Sequence, residues 1–147
     1  MRQVTMAVSN LARQLLAHEA DQSQHPEDIA GAAERACAKL RLQLVRLVGI
    51  EGFLALLSRA LTLAKTGVPW LTDVAVMPDG SLEGLQKAAP AQDKDGAAEG
   101  YVTFLGHILG LLALFIGEAL ARRLLCEVWP EMTQNGTTTG FMEETER

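Results

Sequence analysis

The side chains best suited to acid–base or metal chemistry in this 147-residue chain fall in two places. The first is His18, Glu19, Asp21 and His25, four potential ligands in one short polar segment. Their spacing matches none of the patterns that hold a metal, neither HxxxH or HExxH on a helix nor CxxC, and a polar loop leaves its histidines solvated. Phosphotransfer at His18 is disfavoured as well, because the residues that follow are Glu-Ala-Asp and repel an incoming phosphoryl group. The second is His107, Glu118 and Arg122. On one continuous helix these share a side, but His107 and Glu118 stand about 16 Å apart along the axis and cannot bond each other. Glu118 and Arg122, spaced i and i+4, form a helix-surface ion pair. The three are expected to line a polar groove. Neither set pairs an acid with a base, so no catalytic residue, cofactor or metal ligand is assigned.

Other chemistries find less support. The basic row Arg35, Lys39 and Arg46, with Arg41 nearby, has no interleaved aromatics to stack on bases and reads as a solvated helix face. GxGxxG, GxxxxGK[ST] and GxSxG do not occur. Residues 1–66 hold eight basic and six acidic side chains, a balance of +2, which leaves −7 for the rest of a chain whose total is −5. An acidic second half argues against nucleic-acid binding, which depends on Lys and Arg neutralising phosphates. Cys37 and Cys126 belong to no cluster and fall in apolar helical patterns, where a thiol behaves as a small hydrophobe. The opening MRQVTMAVSNLARQLLAHEA shows no continuous apolar run and no small-residue cleavage site, and a cytoplasmic protein is expected.

The elements that must position these residues are helical. Hydrophobic residues make up 48% of the chain and aromatics 5%, so the core is built from Leu, Ala and Val, a palette that favours helices. A first amphipathic helix covers about residues 4–18, with Val4, Val8, Leu11, Leu15 and Leu16 on one side. A polar loop follows over 19–25. The second helix opens with Pro26, Glu27 and Asp28, repeats Ile29, Ala33, Ala36, Leu40, Leu44 and Leu47, and ends at Gly49 in a left-handed cap. The third covers about 51–65 with Phe53, Leu57, Ala60, Leu61 and Ala64 inward, and Gly67 and Pro69 stop it. Residues 68–85 are expected to be irregular, packed down by Trp70 and Leu71. A strand at 72–76 would lack a partner, and Ser81 would cap a brief helical turn. Residues 87–98 read as a mobile linker. One long helix then runs from about Glu99 to Trp129, and the acidic tail 130–147 is expected to be disordered.

That last helix carries the one unusual pattern. Tyr101–Gly117 is nearly long and apolar enough to span a bilayer, and Arg122 and Arg123 follow it. On a helical wheel Gly106, Gly110, Ala113, Gly117 and Ala121 form a row of small residues, a surface on which another helix can approach closely. Thr103, His107, Glu118 and Arg122 form a polar sector that lipid would not favour. Large apolar residues fill most of the rest.

The expectation is therefore an all-α protein, a bundle of about four principal helices in one domain over 1–129, with a long, mostly buried C-terminal helix. Its expected role is that of a non-enzymatic regulator or adaptor that contacts another protein and a second copy of itself. The small-residue row is the candidate dimer contact. The alternative is a single-pass membrane protein anchored by residues 101–121.

Overall fold

The computed structural model describes residues 6–21, 29–85 and 94–130. Its first helix, α1 (Met6–Asp21), buries Val8, Leu11, Ala12, Leu15, Leu16 and Ala20 and exposes Asn10, Arg13 and Gln14, as the apolar stripe requires. The helix continues three residues past the expected end at His18. The stripe explains this, because Glu19 and Ala20 fall on the buried side and carry it forward. Val4, His25 and the segment from Pro26 to Asp28 lie outside the described residues.

The longest helix is α2 (Ile29–Gly67), 39 residues interrupted at Gly49 (φ 81°, ψ 168°). The two arms are the two helices expected from the sequence. The joint differs in kind from the left-handed cap expected there, because this ψ places Gly49 in the mirror image of extended backbone, a region essentially closed to residues with a Cβ. The first arm, 29–48, buries Ala32, Ala33, Ala36, Cys37, Leu40 and Leu44. The second, 50–67, buries Phe53, Leu56, Leu57, Ala60, Leu61 and Ala64. Leu47, expected inside, is exposed.

Residues 69–83 are more ordered than the sequence suggests. Pro69–Asp73 forms a 3-10 turn that buries Leu71. Strands β1 (Ala75–Val76) and β2 (Leu82–Glu83) pair antiparallel, Ala75 opposite Glu83 and Val76 opposite Leu82. The strand expected to lack a partner finds one across the Pro78-Asp79-Gly80 turn. Ser81 caps no helix. Its backbone N–H and hydroxyl both donate to Asp79 Oδ1, at 2.9 and 2.7 Å, and its carbonyl accepts from Met77. Arg41 Nε donates to the Asp79 carbonyl at 2.7 Å and ties this hairpin to the first arm of α2.

Helix α3 (Lys94–Ile116) begins five residues before the expected Glu99, so residues 94–98 are helix and not linker. Small residues suit this turn because Gly100 lies against the Trp70 ring, which meets Tyr101 edge-to-face at 5.4 Å. Residues 87–93 lie outside the described residues. The single helix expected over 99–129 is two, because Gly117 (φ 92°, ψ 152°) separates α3 from α4 (Glu118–Val128). Nor is the large-residue face buried throughout. Tyr101, Val102, Phe104, Leu105, Ile108, Leu109 and Leu112 are buried, whereas Leu114, Phe115 and Leu120 are exposed.

The fold is all-α with four helices among the described residues. Helix α3 lies at the centre and contacts α1, α2 and α4. The buried side chains of all four helices form one core. At its edge a two-pronged pair, Arg13 to Glu99, ties α1 to α3.

Candidate functional site

Two places stand out once the side chains are positioned, one polar and one apolar. The polar one centres on Glu19, a carboxylate with 1% exposure. Its Oε2 accepts from Lys39 Nζ at 2.5 Å and from the Trp129 indole Nε1 at 2.7 Å. Arg35 Nε stands 3.7 Å from Oε1, and Arg35 Nη2 donates to the Glu19 backbone carbonyl at 3.1 Å. A buried charge is tolerable only when paired and hydrogen-bonded, and Glu19 is both. The cluster joins α1, the first arm of α2 and the end of α4.

Glu19, expected in a solvated loop, lies on the buried side of α1. Arg35 and Lys39, expected on a solvated face, stay partly exposed but turn onto the buried carboxylate, and Arg41 reaches the hairpin. Arg46 makes the most open position of the row and is exposed. A signal for Glu19 was present: it follows Leu15 by four residues and Leu16 by three, on the stripe that goes inside. His18 is half-buried and Asp21 exposed. Among the described residues no three His, Cys, Asp or Glu side chains come together in a cluster that could hold a metal.

The apolar place is a groove of about 270 Å³ between the start of the second arm of α2 and the end of α3. Gly52, Ala55 and Leu56 line one wall, Leu111, Leu114 and Phe115 the other, and Arg59 sits at its margin. Leu114 is 76% exposed and Phe115 65%. Large apolar groups this open, side by side at the rim of an apolar groove, mark a contact surface more often than an isolated exposed leucine does.

The residues singled out from the sequence are only partly brought together. Gly106 is buried, and Gly110 and Ala113 are half-buried on α3. Gly117 is the break itself, and Ala121 is buried on α4. The row is not one continuous face, because a helix-breaking glycine stands in it. The same break separates His107, half-buried on α3, from Glu118 and Arg122, half-buried on α4. Partial burial lowers the His107 pKa below its ordinary 6.5 and favours the neutral imidazole. Cys37 and Cys126 are both free thiols. Burial, with a smaller contribution from Glu34, pushes the Cys37 thiol up to about 12 and keeps it protonated and inert.

The chain matches no protein-family model, no curated protein and no solved structure.

Two helices, Ile29–Gly67 and Gly96–Ile116, are long and apolar enough to cross a membrane, each containing a stretch with a mean hydropathy of 1.6. Only the second was expected from the sequence. In the folded chain 33% and 50% of these apolar stretches are buried.

Proposed function

We propose that this chain is a non-enzymatic helical interaction protein that acts in the cytoplasm as a homodimer, with a further protein as its target. The observation that carries the proposal is the pairing of Leu114 and Phe115 with the groove they border. A two-fold interface requires each copy to offer both a projection and a matching recess on one patch. Here the projection and the recess are adjacent, so each copy's Leu114 and Phe115 can fill the other's groove. Apolar side chains that become fully buried in this way contribute about 1.5–3 kcal/mol each. The small-residue row supports this only through Gly110 and Ala113, which border the same end of α3.

Light scattering on the full chain across a concentration series tests it. The expected result is a dimer that Leu114→Glu converts to a monomer with helical content retained. A wild-type chain that stays monomeric at the highest concentration reached would remove the basis of the proposal.

A second reading, an anchor over residues 101–121, draws on the apolar length of Gly96–Ile116. It would move Tyr101, Phe104, Leu105, Ile108 and Leu109 from the core into lipid and carry Glu118 toward the hydrocarbon, at a cost for an ionised group. Fractionation without detergent separates the two, because an anchored chain sediments with the membrane.

A further inference from the structure

One residue, Gly117, turns α4 away from α3. The apolar pattern of the sequence runs straight through it, which is why the sequence reads as one helix. Its φ of 92° and ψ of 152° are open essentially to glycine alone, and nothing lies within 4 Å of where a Cβ would sit. What holds α4 back is its own docking: Ala121, Leu124 and Leu125 are buried, and at the far end Trp129 donates to Glu19. The element therefore has a one-residue hinge at one end and a specific latch at the other.

We propose that α4 is an exchangeable arm. With Gly117 in helical conformation, α3 and α4 join into one helix over 94–128, and each copy's α4 docks in the seat of a second copy, Trp129 on Glu19 of the partner subunit. The occupant is a second copy because the seat is already complementary to this sequence, and exchange reuses the same contacts. Straightening also returns Gly110, Ala113, Gly117 and Ala121 to one face. Leu114 and Leu120, three residues to either side of the hinge, then flank Gly117 at about 60° on each side. They come level with each other where two such helices cross antiparallel at Gly117. In the bent form these leucines are 76% and 38% exposed. The inference rests on the self-association proposed above and adds a second contact to it, the exchanged α4.

Two substitutions in the full chain test it by light scattering across a concentration series. Gly117→Ala penalises the bend and favours the straight helix, so the dimer dissociation constant should fall by ~100-fold or more. Glu118→Pro fits the first position of α4 in the bent form but in the straight helix would lose its N–H bond, clash with the Leu114 carbonyl and disfavour helical backbone at Gly117, so it should give a folded monomer. Opposite shifts in the two variants support exchange. A wild-type dimer that neither variant changes overturns exchange while self-association stands. Monomers throughout overturn both. Should Gly117→Ala fail to fold, a Glu118→Pro chain that dimerises like the wild type is sufficient to overturn exchange.

Discussion

Replacing Glu19 with alanine should destabilise the fold more than any surface carboxylate would, by an amount that the structure breaks into parts. Trp129 is 2% exposed, so water cannot take over the indole N–H that now donates to the carboxylate. Removing an acceptor from a buried donor costs about 1–3 kcal/mol. Lys39 and Arg35 lose a charged partner, but their side chains are 44% and 40% exposed and can turn to water. Their share is accordingly small, about 1 kcal/mol. The sum is about 2–4 kcal/mol, or a melting temperature lower by about 5–15 °C for a domain of this size. Glu19→Gln keeps an oxygen for the indole and should lose roughly half as much. Thermal unfolding followed by circular dichroism reads both. A Glu19→Ala chain within about 0.5 kcal/mol of wild type, or a Glu19→Gln chain as damaged as Glu19→Ala, would refute the assignment of the indole contact as the dominant part.

The remaining expectations concern thiols, protons and packing. With its thiol near pKa 12, Cys37 should resist alkylation in the native chain at mildly alkaline pH, whereas half-buried Cys126 reacts; mass spectrometry of the labelled peptides reads this. The same shift is a stability statement. The raised folded-state value means that the contribution of Cys37 is complete below the ordinary 9.0 and is lost as pH rises from there toward about 12, a loss that Cys37→Ala should abolish. His107 works in the opposite direction: its folded-state pKa is lowered, so stability should fall on acidification below 6.5 as the unfolded chain takes up the proton, and His107→Gln should flatten that part of the melting curve's pH dependence. Gly100→Ala would place a Cβ 2.4 Å from Trp70 Cζ2, forcing the ring off Tyr101, and denaturant unfolding should show a loss of about 1–3 kcal/mol.

The helices were legible because their apolar residues recur at three- and four-residue spacing and survive almost intact as the buried set. Leu11, Leu15 and Leu16 on α1, and Phe53, Leu57, Ala60, Leu61 and Ala64 on α2, are cases in point. Gly49 was legible as an end, since it follows a completed stripe. Gly117 was not, although it is bent in much the same way. It stands in a row with Gly106 and Gly110, and a row of small residues looks like a packing surface until the backbone shows which of them bends. The β-hairpin was missed because its strands are two residues each, too short to show an alternation. The candidate sites were the least visible. Glu19 looks solvated by type and buried only by position, and its partners Lys39 and Trp129 are distant in sequence. The groove is made by α2 and α3 together, and no stretch of sequence contains it.

Self-association through the apolar groove between the second arm of α2 and the end of α3 is tested most directly by sedimentation velocity of the full chain in detergent-free buffer, with Leu114→Glu beside it. A concentration-dependent dimer that the substitution abolishes is the predicted result. A wild-type chain that sediments as a monomer at every concentration, or that stays in solution only with detergent, would contradict it.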